Sequence, residues 1–233
     1  MTGRTSPEIA RSYDAAAGNY DDRLRAAGRS LRRLRMVEAP LRRLARDAPR
    51  ILDLGCGTGR VMVDLGSGRI VGIDLSLGML REARAKGLSV ACADAHVLPF
   101  ASGVFDLVTA ANAVFRYFRL EEALAEAARV LAPGGRLVLH QYAARVWTPR
   151  RPFAPAVLRD PRHLENIHSL ERAAAAQGLR LTDVRLWRGL RFWPYLVAIP
   201  RALAARLWDH GLFVFAKPAV SAQAGAPPAA PRG

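Results

Sequence analysis

The chain of 233 residues has little cysteine, almost no lysine, and no long apolar run. Its two cysteines, Cys56 and Cys92, stand alone, with neither a Cys-x-x-Cys neighbour nor a histidine at ligand spacing. That leaves no donor set for a zinc site, and both read as small reduced fillers. No stretch approaches the ~20 apolar residues needed to span a bilayer. Met1 to Asp14 is polar and lacks the apolar stretch of a secretory signal, so a cytoplasmic protein is expected. Acidic residues are also scarce, 20 Asp+Glu against 35 Lys+Arg, for a formal charge of +15. Such an excess attracts nucleic acid, anionic lipid or an acidic substrate. Only Lys86 and Lys217 are lysines, however, and alanine abounds, so part of the arginine excess reads as compositional habit.

What is present is a change of rhythm at Ile51. Before it, the chain reads as helical. Leu24, Leu31 and Leu34 recur at helical spacing among arginines, and Ala39-Pro40 should interrupt the run. A second short helix starting at Pro40 would carry Leu41 and Leu44 inward. From Ile51 onward, short apolar strands alternate with helices. The strands are Ile51 to Leu54, Ile70 to Ile73, Ser89 to Ala93, Phe105 to Ala110 and Arg136 to Leu139. The helices start near Arg60, Met79 and Leu120, and Gly87 and Pro133-Gly134-Gly135 are placed to end the last two. His163 to Gln177 is helical, and Leu179 to Leu190 and Leu212 to Ala216 read as strands.

Parallel neighbours need crossover helices, so the alternation implies an α/β fold. The expected architecture is a Rossmann-like doubly wound sheet, mostly parallel with an antiparallel last strand, helices on both faces. Residues 1–48 form an N-terminal helical cap segment and 49–218 the ligand-binding domain. Inserts fall at 143–162 and 191–210, and the Ala/Pro/Gly-rich tail 219–233 should be disordered.

Chemistry concentrates at strand ends. Asp53-Leu54-Gly55-Cys56-Gly57-Thr58-Gly59 follows the first strand at once, and its glycines let backbone N–H groups approach a ligand closely. The third glycine comes one residue earlier than in the dinucleotide pattern G-x-G-x-x-G, which disfavours a nicotinamide oxidoreductase. The preceding Asp53 suits a ligand with a cationic end better than a pyrophosphate. Asp74, 19 residues past Gly55, stands where a carboxylate accepts ribose hydroxyls, or else caps the next helix. Asp94 follows the third strand, as an adenine contact or a turn carboxylate.

These motifs together resemble the class I methyltransferases that use S-adenosylmethionine (SAM). Val71-Gly72-Ile73-Asp74-Leu75-Ser76 with Met79-Leu80 resembles their second strand and helix, and Asp94-Ala95 with Leu98-Pro99-Phe100 their third. Phe105-Asp106-Leu107-Val108 resembles the fourth strand, and Arg129 to Leu137 matches the fifth. Tyr13-Asp14 and Tyr20-Asp21 resemble the Tyr-Asp pairs preceding the domain in the small-molecule and quinone-type branch. The resemblance spans about residues 12–142. It implies that Gly55, Gly57 and Gly59 approach the methionine part of SAM with Asp53 toward its ammonium. It implies further that Asp74 holds the ribose, Leu75 and Met79 flank the adenine, and Asp94 and Ala95 read its edge. Asn112 would face the sulfonium, with Tyr20 over it. Met79 reads nearly as well as ordinary core.

Methyl transfer from a sulfonium is an in-line displacement that relies on alignment in a dry site, so no catalytic dyad is required. His140, at the end of the fifth strand, is a weak candidate base. The sequence Ala110-Ala111-Asn112-Ala113 departs from the Asp/Asn-Pro-Pro-Tyr/Phe motif of base-amine methylation. The reading is methylation of an oxygen or carbon on a small, apolar or aromatic acceptor. The alternatives are an RNA methyltransferase using the Arg-rich N-terminal helices, or a non-catalytic SAM-binding module. Arg145, Arg150, Arg151, Arg159 and Arg162 are a solvated loop or an anion contact. Residues 191–209 are a hydrophobic lid or a peripheral membrane contact.

Overall fold

Ile51–Leu54 forms β1, and all four of its residues are buried, as expected of a strand covered on both faces. The computed structural model describes residues 6–26, 37–65, 70–111, 119–142, 167–187 and 210–219. Within them β1 pairs in parallel with β2 (Ile70–Asp74) on one side and with β4 (Phe105–Ala110) on the other. Beyond β2 lies β3 (Val90–Cys92), and beyond β4 lies β5 (Leu131–Tyr142), both also parallel. The last strand in chain order, β7 (His210–Ala216), runs antiparallel between β5 and β6 (Arg180–Trp187). The seven-stranded order is therefore β3-β2-β1-β4-β5-β7-β6, and the doubly wound, mostly parallel sheet holds.

Alternation along each strand divides the core in two. Leu52, Leu54, Val108, Leu137, Leu139, Phe213 and Phe215 face one way. They pack with Leu124 of α6 (Leu120–Val130) and Leu170 of α7 (Ile167–Ala176). Ile51, Leu107, Val138, Leu212 and Val214 face the other way, with Leu41 of α3 (Ala39–Ala45) and Met62 of α4 (Arg60–Leu65). Leu80 of α5 (Leu77–Ala85) joins this second layer. Ahead of the sheet stand α1 (Ser6–Ala16), a single 3-10 turn at Ala17–Asn19, and α2 (Tyr20–Ala26).

Several boundaries differ from the sequence reading, each for a local reason. Helix α5 starts at Leu77, ahead of Met79, because the Ser76 hydroxyl accepts the Met79 N–H at 3.1 Å as an N-cap. Helix α6 stops at Val130, and β5 starts at Leu131 with no loop, since Leu131 already pairs with Phe105. The Pro133-Gly134-Gly135 turn then lies inside the strand, at a register shift. Lys217, just past β7, closes this corner by donating to the carbonyls of Ala128 and Leu131, both at 2.7 Å. The short helix expected at Pro40 is α3, which begins one residue earlier at Ala39 with Pro40 in its first turn, after a wider turn at residues 37–38. Leu41 is buried as expected, but α2 buries no residue and Leu24 is only half-buried. Leu31, Leu34, Asn112, the insert 143–162, residues 191–209 and the tail from 220 lie outside the described residues.

Candidate functional site

The loop after β1 carries three glycines in the left-handed region, Gly55 (φ 63°), Gly57 (φ 56°) and Gly59 (φ 75°). A side chain there would be strained. A Cβ at Gly57 would meet nothing within 4 Å, so the loop borders open space. A Cβ at Gly72 in β2, by contrast, would lie 2.5 Å from Met62 Sδ and 2.7 Å from Cys56 Sγ. Cys56 thus packs directly onto β2, and its backbone N–H donates to the Ile73 carbonyl at 2.9 Å. Burial raises its thiol well above the ordinary range, and Cys56 serves as a packing residue.

Two carboxylates flank this loop. Asp53 is 2% exposed, and its Oδ1 accepts the Thr109 hydroxyl at 2.6 Å from the neighbouring strand. Burial lifts its pKa to about 7; the Thr109 bond opposes that rise, and the nearby Asp74 charge adds to it. Asp74 ends β2. Its Oδ2 accepts the Gly57 N–H and its Oδ1 the Ser76 N–H, each at 2.9 Å. Burial raises Asp74 as well, against the pull of these backbone donors. One buried and one half-buried carboxylate held above their usual range form a site that favours a cationic ligand. With the open space over Gly57, this donor set fits the cationic amino acid end of SAM. A cofactor there would be held by the loop, Asp53 and Asp74.

The other expected contacts take distinct places. Leu75 is half-buried beside Asp74, while Met79 is 1% exposed inside the core, which favours its packing role. Asp94 accepts the His96 N–H at 2.9 Å and meets the His96 ring at Nδ1, the turn carboxylate that the sequence left open. Burial works to raise Asp94, but these His96 contacts hold it below the usual carboxylate range. Ala95, the middle residue of that turn, is buried. Tyr20 is half-buried and meets Tyr13 edge-to-face, ring centres 6.1 Å apart. His140 is 1% exposed and stands two residues inside the end of β5, opposite Leu212, so it does not end the strand as expected. Strand alternation and register put Asp53, Thr109 and His140 on one face of the sheet, toward its carboxyl edge.

Two residues here escaped the sequence reading. His96 is 8% exposed, and its Nε2 accepts the Arg119 N–H at 2.8 Å, which leaves the proton on Nδ1 for Asp94. The only signal was its place two residues after an aspartate. Thr109 was a lone hydroxyl in an apolar strand, which directs attention to a buried partner. The Leu98-Pro99-Phe100 segment is fastened to α6: Glu126 accepts the Leu98 N–H at 2.6 Å, and Arg129 donates to Phe100 O at 2.7 Å and Leu98 O at 3.0 Å. Among the described residues no group of three or more His, Cys, Asp or Glu is placed to hold a metal, and no helix is long and apolar enough to cross a membrane.

Comparison with known proteins agrees with this geometry. A family model described as a methyltransferase domain matches residues 52–139. A demethylmenaquinone methyltransferase of Corynebacterium urealyticum is 31% identical over 212 residues, covering 87% of this chain and 86% of that protein. One from Thermus thermophilus is 41% identical over 146 residues, 58% of this chain and 63% of its own length. The crystal structure of a TehB-like SAM-dependent methyltransferase from Corynebacterium glutamicum is 25% identical with a TM-score of 0.58, covering 87% of this chain and 98% of that one. The carboxylate at the end of β2, the glycine loop and this kinship converge, and the chain belongs to the class I SAM-dependent small-molecule methyltransferases.

Proposed function

We propose that the enzyme transfers the SAM methyl group to an oxygen or carbon of a small apolar or aromatic acceptor, with a hydroxylated quinol-type ring as the leading class. One observation carries the choice. On the face of the sheet that carries Asp53 and His140, the neighbouring positions after β4, on β5 and on β7 are apolar and closely packed: Ala111, Val138 and Leu212 are each at most 5% exposed. Such a wall suits a ring and gives no charged anchor. The relatives named demethylmenaquinone methyltransferases support the same class.

SAM supplies a methyl already activated on a sulfonium, so the chain's task is alignment and exclusion of water. The Gly55–Gly59 loop and Asp53 would seat the amino acid end, Asp74 the ribose, and Leu75, Asp94 and Ala95 the adenine; we assign Asn112 to the sulfonium end and Tyr20 to its cover. An aromatic hydroxyl must lose its proton for its ring carbon or oxygen to attack, and His140 is the residue we assign to take it. For carbon attack, the ring hydrogen then leaves as a proton to restore aromaticity. We further infer that residues 1–48 act as a helical cap on a catalytic domain of 49–218. A cytoplasmic location goes with two free thiols, Cys56 and Cys92.

The test uses labelled SAM with demethylated quinols, other hydroxylated aromatics and RNA. Label on a hydroxylated ring, lost with its demethylated acceptor withheld, supports the reading; label only on RNA overturns it. His140→Gln should lower kcat at least tenfold while leaving SAM affinity within about twofold, as expected of a base that does not bind the cofactor.

A further inference from the structure

The two Tyr-Asp pairs are seven residues apart, two helical turns, and the structure gives their aspartates matching tasks. Asp14 lies on α1. Its Oδ1 accepts the Ser76 hydroxyl at 2.6 Å and the Gly78 N–H at 2.7 Å, at the start of α5. Asp21 lies on α2. Its Oδ1 accepts the Thr58 hydroxyl at 2.8 Å, and its Oδ2 accepts Lys86 Nζ at 2.7 Å. Lys86 in turn donates to the Thr58 carbonyl at 2.7 Å, and Arg60 approaches Asp21 at 3.8 Å. One aspartate therefore grips the segment after β2, and the other grips the glycine loop after β1.

These bonds close a ring. Starting from Asp14, it passes through Ser76 to Asp74, across the Asp74 carboxylate to Gly57, along the chain to Thr58, and from Thr58 to Asp21. The helical segment from Asp14 to Asp21 completes it and so bridges the two walls of the cleft. Contact at the Asp14 end is tight: a Cβ on Gly78 would lie 3.0 Å from Asp14 Cα and 3.1 Å from Ala17 Cβ. The backbone of α1 rests on the first turn of α5 with no room for a side chain.

We propose that Asp14 and Asp21 are positioning residues, a two-point latch that holds the N-terminal helices across the cofactor cleft, so that SAM entry and product release require the latch to open. The proposal rests on the reading of the Gly55–Gly59 loop and Asp74 as the cofactor site. Each carboxylate has two donors, one a side chain and one either backbone or ammonium, and charge-assisted bonds of this kind are the stronger ones. Neither aspartate takes part in strand pairing: both lie on helices that precede β1, and α2 buries no residue. The latch therefore acts on exchange of the cofactor rather than on folding.

The experiment measures the dissociation rates of SAM and S-adenosylhomocysteine by stopped-flow. It compares the full chain with Asp14→Asn, Asp21→Asn, the double variant and Gly78→Val. The asparagines weaken the carboxylate contacts, while Gly78→Val wedges α1 away with both carboxylates intact. Each single asparagine should raise both dissociation rates about tenfold, the usual effect of losing one charged hydrogen-bonded contact. Gly78→Val should do the same. Hydrogen exchange in residues 6–26 of the cofactor-free protein should quicken in every variant, with β1 and β4 unchanged. Dissociation rates within twofold of the parent, with exchange in 6–26 quickened, would show that the cap opens without gating the cofactor and would overturn the proposal. So would unchanged exchange in 6–26 in all variants. Binding of SAM by the parent is measured first: a parent that does not bind overturns the cleft reading itself, which differs from a parent that binds with exchange indifferent to the latch.

Discussion

The Thr109 hydroxyl donates to Asp53 across the β1–β4 pairing, at 2.6 Å, where Asp53 is 2% exposed. The bond fixes the direction of a carboxylate that burial alone would keep protonated near neutral pH. Arrival of a cationic ammonium should draw that proton off. SAM binding is therefore expected to release protons, most strongly at about pH 5.5, midway between the raised value of about 7 and the ordinary carboxylate value. Calorimetry in two buffers of different ionisation enthalpy measures the release. Asp53→Asn should abolish most of it, and an unchanged proton count in that variant would remove Asp53 from the site.

Asp74 binds two backbone donors on different walls of the cleft, the Gly57 and Ser76 N–H groups. Its replacement by alanine leaves both donors without their partner and removes the expected ribose contact. SAM affinity should fall roughly 100-fold or more, from one or two charged hydrogen bonds at about 1.5–3 kcal/mol each. Isothermal titration checks the loss, and circular dichroism should show the sheet intact.

Gly72 lies under Cys56 and Met62 with no space for a methyl group. Gly72→Ala should destabilise the fold by about 1–3 kcal/mol, the usual cost of overpacking a filled core. Denaturant melts measure it. Because the displaced atom includes Cys56 Sγ, the glycine loop should shift too, and SAM binding should weaken together with stability.

Glu38 is 6% exposed, and burial, with the hydrogen bond to and charge of Asp64 of α4 adding to it, raises its pKa to about 7. Arg60 and Arg42 pull the other way. A carboxyl with a raised folded value stabilises the fold fully below its ordinary value, and that contribution is lost as pH rises through about 7. Asp53 acts in the same direction over the same window. Thermal stability should therefore decline from pH 5 to pH 8, by an amount on the order of 2–3 kcal/mol for Glu38. Glu38→Gln should flatten that slope, and a slope unchanged from the parent would show that Glu38 does not titrate there.

Most of the sheet was legible because β1, β2 and β4 are short apolar runs bounded by Asp or Gly, and the strand–helix alternation admits few topologies. The glycine loop was legible for a similar reason: the left-handed backbone at Gly55, Gly57 and Gly59 requires glycine, which leaves a mark in the residues themselves. The junction at Leu131 was not, since nothing local in Arg129-Val130-Leu131 says that a strand begins before the Pro133-Gly134-Gly135 turn. Only the pairing with Phe105 decides it. The Thr109–Asp53, His96–Arg119 and Glu38–Asp64 contacts each join residues at least 23 positions apart, so no window of sequence contains them. Asp14 and Asp21 were visible as parts of Tyr-Asp pairs, but their partners Ser76, Gly78, Thr58 and Lys86 appear only in three dimensions.

The position of β7 sets the order in which the sheet is finished. It is the last described strand to leave the ribosome, yet it occupies the slot between β5 and β6. Until residue 216 emerges, β5 presents an unpaired edge, with Val138 and Leu139 among its residues, and β6 has no neighbour in the sheet. Such edges are sites of wrong pairing during synthesis. Refolding should therefore show a late phase in which β6 and β7 are added together. Truncation before His210 should yield an aggregating chain even though the glycine loop, Asp53 and Asp74 are all present.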